Sequence, residues 1–335
     1  MPARWEYVFA FVLAGCLCLY MTPIVIDAAL KYDIVDRPDG NLKTQKKPVA
    51  YLGGLAIYLS FLFTLALTFD FSREVLGMLL SGTIIALLGI IDDLRPLGPK
   101  LKLVGQAIAV FVLMKSGIYI QIAFLPHALC LFLTFFWLMT TINAFNIIDI
   151  MDGLSAGVGL IIAAVLFVVA VLNQHYMIAT LTISLAGTLF GFLRYNFEPA
   201  RIYLGDAGST FLGLMLGSLA MIGSYTKNND FGCLAPLVIL GIPLFDTLFV
   251  MYIRWRRGMP VIYGSPDHFA LRLRTWKLST RQTVGASYAA ALLLGLCGIA
   301  MMLSPSGIMS LGIFFFVIAA FFTAAYLLKK IEVTV

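Results

Sequence analysis

Long apolar runs alternate with short polar segments from one end of the chain to the other. Eleven such runs, centred near residues 16, 60, 85, 112, 136, 164, 185, 217, 243, 293 and 318, each read as a membrane-spanning helix. No connecting segment is long enough for a soluble domain, so residues 1–335 read as one integral membrane domain. The pattern predicts an all-α, polytopic bundle of about eleven transmembrane helices. The first run lacks a small-residue cleavage site and reads as a retained helix. No internal repeat or low-complexity tract is visible. Gly187/Gly191 and Gly213/Gly217 have the small-xxx-small spacing that lets helices approach closely.

Composition agrees: 61% of residues are hydrophobic and 12% charged, about half the charge of a soluble domain. The basic residues fix an orientation. With the N-terminus outside, 19 of the 23 Lys and Arg fall in the cytoplasmic segments, leaving Arg4, Arg73, Lys115 and Lys227 on the other side. That predicts N-out, C-in. The net charge of +6 therefore reflects topology first, and it favours anionic headgroups or phosphates at the cytoplasmic face. No basic helix stands clear of the membrane, so nucleic acid is not an expected partner. The five cysteines show no metal-type pairing and read as small core residues.

Under this orientation the polar clusters gather on one face. Asn143-Ala144-Phe145-Asn146-Ile147-Ile148-Asp149-Ile150-Met151-Asp152-Gly153 places two acids and two amides at the end of an apolar run, where ionisable groups are costly. Asp36, Lys43, Lys46 and Lys47 lie after the first run, Asp92-Asp93 with Lys100 and Lys102 after the third, and Gly205-Asp206-Ala207-Gly208-Ser209 before the eighth. The most basic segment carries Arg254, Arg256, Arg257, Asp267, His268, Arg272 and Arg274. Clustered carboxylates repel unless a cation sits among them, and Asp and Asn oxygens with substrate phosphate suit Mg²⁺. Lys and Arg would hold further phosphate oxygens, and the glycine-flanked Asp206 sits at a phosphate-friendly helix start. Together these point to phosphoryl transfer between a soluble and a lipid partner.

Each feature also has a plainer reading. Asp92-Asp93 can be a charged membrane stop, Asp206 a turn residue, Asp246 the buried partner of an Arg, and the basic runs positive-inside anchors. Residues 268–278 read as a short interfacial amphipathic element.

The chain resembles the polyprenyl-phosphate N-acetylhexosamine-1-phosphate transferases, the superfamily of the bacterial WecA and MraY enzymes. The resemblance rests on Pro48 with Gly53-Gly54, on Asp92-Asp93, on the block from Asn143 to Leu154, and on Gly205-Asp206-x-Gly-Ser; Pro243-x-x-Asp246-Thr247 and His268 extend it. It implies transfer of a sugar 1-phosphate from a UDP-N-acetylhexosamine, GlcNAc by default, to undecaprenyl or another polyprenyl phosphate. UMP would leave, and a lipid-linked cell-envelope glycan would be started. By motif match it implies Asp206 and Asp149 as Mg²⁺ ligands, with Mn²⁺ as an alternative cation. It implies Asp92, Asp93 and Asp149 as catalytic, and Lys46, Lys47, Asn143, Asn146, Asp152, His268, Arg272 and Arg274 as substrate-binding. Two positions depart from the family pattern. Ile150 follows Asp149 where Gly is usual, and His268-Phe269-Ala270-Leu271 stands where His-x-His-His is usual, which favours the WecA branch over MraY.

The expected location is the bacterial inner membrane, with the active site at its cytoplasmic face and a homodimer as an allowed assembly. A different class, an ion-coupled secondary transporter using the aspartates, would place its acids near the bilayer midplane with repeat symmetry. Here they gather at helix ends.

Overall fold

A computed structural model describes residues 4–37, 48–69, 71–122, 125–260 and 266–331. Each of the eleven apolar runs is helical: α1 (Arg4–Lys31), α2 (Gly53–Thr68), α3 (Arg73–Leu94), α4 (Pro99–Lys115), α5 (His127–Ile148), α6 (Leu154–Leu172), α7 (Tyr176–Asn196), α8 (Gly205–Met221), the pair α9 (Ala235–Ile239) and α10 (Gly241–Arg256), α12 (Thr280–Leu303) and α13 (Gly307–Leu328). A short helix, α11 (Phe269–Thr275), follows α10. The element boundaries follow local chemistry. The Ser72 hydroxyl caps α3, Pro99 opens α4, and a reciprocal Ser279–Gln282 capping box opens α12.

Length and composition alone single out fewer of these helices as spans. Among the described residues seven helices are long and apolar enough to cross a membrane, or eight if the segments flanking Leu240, bent by 71°, form one span. Helices α2, α4 and α8 have 16, 17 and 17 residues. At about 1.5 Å per residue they reach about 24–26 Å, short of a hydrocarbon core of about 30 Å. Helix α8 lies inside the bundle, with Ala207 to Ala220 buried. The protein is a multi-pass helical membrane protein, and α8 is the shorter helix enclosed within it.

Small residues set the tightest contacts. Gly187 and Gly191 of α7 meet the backbone of Phe11 and Gly15 on α1, while Gly213 and Gly217 of α8 meet Thr141 and Ile142 on α5. Several polar residues in the spans are satisfied locally: Ser60, Thr64, Ser81, Thr134 and Thr188 each return a hydroxyl bond to the carbonyl four residues earlier.

The helices alternate in direction, and the alternation gathers one set of ends. Tyr51 N–H bonds to Ile34 O beyond α1, and Gly53 and Gly54 at the start of α2 bond to Tyr203 O and Leu204 O before α8. Arg281 of α12 reaches Glu198 O beyond α7, and Arg272 of α11 reaches Leu328 O at the end of α13. A two-stranded antiparallel sheet, β1 (Val35–Asp36) and β2 (Val49–Ala50), lies at this same end, with Ala50 bridged to Ile202. The start of α1 lies at the opposite face and the end of α13 at this one.

Candidate active site

Asp92 and Asp93 end α3, just before the helix-stopping Pro96. Successive residues differ by about 100° around a helix, so the two carboxylates diverge. Asp92 turns to α4, where one oxygen accepts the Leu97 N–H and the other pairs with Lys102 Nζ at 2.8 Å. Asp93 turns to α8 and accepts the N–H groups of Asp206 (2.7 Å) and Ala207 (3.2 Å). It caps a helix whose Asp206 lies 113 residues later in the chain, using charge where the helix dipole favours it. Gly205 makes that approach feasible: its φ is +72°, and a Cβ there would stand 2.7 Å from an Asp93 oxygen.

Helices α4 and α5 run antiparallel and exchange two polar rungs. Lys102 and Gln106, one turn apart on α4, face Asn146 and Asn143 on α5. In the inner rung the Asn143 amide donates to Gln106 Oε1 at 2.9 Å and to Met139 O at 2.7 Å. In the outer rung Lys102 Nζ donates to Asp206 Oδ2 at 2.7 Å as well as to Asp92, and lies 3.3 Å from Asn146 Oδ1. The Asn146 amide donates to Asp206 Oδ1 and to Ser209 Oγ. One ammonium therefore holds two carboxylates and an amide drawn from three other helices.

Asp149 follows the last turn of α5. Its carboxylate is half-buried, and among the described residues no hydrogen bond or ion pair reaches it. Burial, then the nearby Asp206, Asp93 and Asp152, push it well above the usual carboxylate range. Asp152 is also pushed up, by burial first and by Glu198, although it accepts the Ala200 N–H at 2.9 Å, which acts the other way. Gly153, at φ +74°, is clamped from both sides: its N–H donates to Asn196 Oδ1 at 3.1 Å and its carbonyl accepts the Tyr288 hydroxyl at 2.6 Å. Ile150 needs no left-handed backbone, and its side chain packs against the core. The fold accommodates that departure without strain.

The structure thus brings Asp92, Asp93, Asn146, Asp149 and Asp206 together, with Asp152 and Asn143 at the margins. Lys46 and Lys47 lie outside the described residues. His268 is buried before α11, its Nδ1 2.8 Å from Asp246 Oδ2, while the other Asp246 oxygen accepts the Phe269 N–H. Asp246 is therefore the buried partner of a histidine, with the buried Arg254 close enough to interact with its charge. Arg272 differs most from expectation. It is 1% exposed, bonded to Asp267 through Oδ1 and the carbonyl, and to Leu328 O and Ile331 O. Those bonds tie α11 to the end of α13 and turn the guanidinium into a structural anchor. Arg274 is exposed.

Sequence reasoning placed Lys102 in a basic loop and passed over Gln106. A signal was present, since both are polar residues flanked by Leu101, Leu103 and Val104 inside an apolar run, where a polar group marks a site by default. Asn196 and Tyr288, the clamps on Gly153, carry no such signal because their role depends on packing.

The family described as Glycosyl transferase family 4 matches residues 75–224, which hold most of this cluster. The chain is 32% identical over 290 residues to a probable undecaprenyl-phosphate N-acetylglucosaminyl 1-phosphate transferase of Bacillus subtilis, covering 84% of this chain and 81% of that protein. It is 31% identical over 332 residues to a decaprenyl-phosphate N-acetylglucosaminephosphotransferase of Mycolicibacterium smegmatis, covering 88% and 79%. It is 30% identical over 311 residues to a phospho-N-acetylmuramoyl-pentapeptide-transferase of Halalkalibacterium halodurans, covering 83% and 94%.

Proposed function

The chain belongs to glycosyl transferase family 4, and we propose that it transfers a sugar 1-phosphate from a UDP-N-acetylhexosamine to a polyprenyl phosphate. The observation that carries this reading is the cluster itself: four aspartates at one end of a membrane bundle, with Lys102 bonded to two of them. A site of that charge and position suits a diphosphate donor arriving from water and a phosphate acceptor anchored in lipid. With the N-terminus outside and the C-terminus inside, as the Lys and Arg distribution favours, the cluster faces the cytoplasm of the inner membrane.

In the reaction, an oxygen of the lipid phosphate attacks the β-phosphorus of the UDP-sugar, and the bond from that phosphorus to the bridging oxygen breaks. UMP leaves with the bridging oxygen, and a polyprenyl-diphosphate sugar remains. A phosphate monoester has its second pKa near about 6, so the acceptor is already largely dianionic at neutral pH. Lys102, 2.7 Å from Asp206, stands where it can also offset charge on the leaving phosphate. Asp93 is committed to capping α8, which makes it a positioning group for Asp206 and not a free base.

The donor set fits a divalent cation. Among the described residues no three acids or histidines form a complete metal cage, but Mg²⁺ commonly takes one or two carboxylates and completes its shell with substrate phosphate. Asp206 and Asp149, the latter without a partner among the described residues, would hold it, and when bound it would neutralise the diphosphate.

The test is to incubate the purified full chain with polyprenyl phosphate, Mg²⁺ and a panel of UDP-N-acetylhexosamines, GlcNAc first, and to follow UMP and lipid product together. Stoichiometric release of both is the expected result. No UMP with any donor overturns the reading, and UMP released without acceptor replaces direct displacement by a covalent phospho-enzyme.

A further inference from the structure

Helices α3 and α4 carry a second feature at the ends remote from the acidic cluster. Arg73 is 19 positions from Asp92 along α3, which puts it about 28 Å away. Beside it, an apolar groove of about 520 Å³ opens between the two helices toward the bundle exterior. Leu76 and Leu80 form one wall, and Ile108 and Phe111 the other; all four are 52–55% exposed. The floor narrows where Gly77 touches Ser116, since a Cβ on Gly77 would meet the Ser116 Cβ at 2.1 Å.

Charge marks one end of this groove. Arg73 and Lys115 both line it, and the Arg73 guanidinium donates to Lys115 O at 2.9 Å, which draws the two cations to the same place. Only four of the 23 basic residues fall outside the segments assigned to the opposite face, and two of the four meet here. Among the described residues neither forms an ion pair, and Glu74, next to Arg73 in the chain, does not line the groove. Two cations on the poorly charged side of a membrane protein, placed at the end of an outward-facing apolar cleft, have the polarity of an amphiphile with an anionic head. The lipid-facing walls can take an acyl chain, and the two cations favour an anionic head over a neutral one.

We propose that this groove binds an anionic phospholipid of the leaflet opposite the acidic cluster, with an acyl chain along Leu80 and Phe111 and the phosphate between Arg73 and Lys115. The contribution of each cation follows from the attraction of exposed Lys and Arg to anionic lipid. That attraction corresponds to about 5-fold per residue and about 30-fold for the pair, and it is weakened by salt.

Native mass spectrometry of the full chain in detergent tests this, with phosphatidylglycerol and phosphatidylcholine of identical acyl chains in competition. Wild type should retain one phosphatidylglycerol in preference, and R73Q/K115Q should lose about 30-fold of that preference while UMP release and thermal midpoint stay unchanged. If the double variant does not fold, R73Q and K115Q singly should each lose about 5-fold. Leu80→Trp, which fills the groove and keeps both cations, should lower retention of either lipid. Equal retention of both lipids by wild type, or an undiminished preference in R73Q/K115Q, overturns the proposal. Displacement of the lipid by millimolar inorganic phosphate alone reduces the site to an anion site and overturns it. A dimer that R73Q/K115Q dissolves makes the groove a subunit interface and overturns it too.

Discussion

Replacing Lys102 by Met removes the ammonium and keeps a side chain of similar length along the same apolar path. The Oδ2 atoms of Asp92 and Asp206 lie 2.8 and 2.7 Å from one nitrogen, so they are at most about 5.5 Å apart. At an effective dielectric of about 20, two unit charges at that distance repel by about 3 kcal/mol. Asp92 is 7% exposed and feels nearly all of this, whereas Asp206 is 31% exposed and is partly screened. A loss of about 2–3 kcal/mol of stability is expected, near the lower end for breaking a buried pair. Thermal unfolding in detergent should show the loss in full with chelator present. Added Mg²⁺ should narrow the gap to wild type, because a divalent cation can settle between the two unpaired carboxylates. Lys102→Arg should keep most of the stability, as it keeps the charge. An unchanged transition in chelator, or a gap that widens with Mg²⁺, would refute the assignment of Lys102 as the neutralising group.

Three further outcomes are expected. Asp149 is pushed up in the folded protein, so the folded state holds that proton more tightly than the unfolded chain. Its ionised form opposes folding at neutral pH, and the opposition fades as pH falls through the folded value. Metal-free wild type should therefore gain stability relative to Asp149→Asn as pH falls toward the unfolded carboxylate value of about 4, with a slope of at most about 1.4 kcal/mol per pH unit; parallel pH profiles for the two proteins would exclude this. Gly205→Ala should cost about 1–2 kcal/mol for the left-handed backbone and expel Asp93 from the α8 cap, abolishing turnover; full activity would show the cap to be dispensable. Arg272→Met should leave the buried Asp267 still paired with Arg257 at 2.8 Å but free the end of α13, costing about 1.5–3 kcal/mol and exposing the C-terminal end to limited proteolysis, while a proteolysis pattern like wild type would contradict the anchor.

The chain displays its helices openly and its site only in part. All eleven apolar runs are helices because a membrane leaves the backbone little alternative. The break at Leu240, and the shortness of α2, α4 and α8, are hidden because hydropathy records composition and not path. Asp149, Asp152 and Asp206 could be found from the cost of placing charge at such positions. Adjacency was misleading for Asp92 and Asp93: side by side in the chain, they serve different helices. Arg272 was misleading for the opposite reason. Its basic, amphipathic surroundings suggest phosphate, yet burial beside Asp267 and the α13 carbonyls leaves it a structural bond.

Asp93 and Lys102 also carry a consequence for how the protein is built. Lys102 follows Asp92 by ten positions, so the hairpin of α3 and α4 enters the membrane with its own counter-ion. Asp93 has no such companion, because the amides that satisfy it are not synthesised until residues 206 and 207. Until then its charge must stay at the water edge, which holds the end of α3 near the surface while four more helices insert. Docking of α8 is then the step that draws Asp93 inward and places Asp206 against Lys102. The docking of α8 and the first appearance of the charged centre are one event, and a nascent chain stopped before α8 holds seven helices without a site.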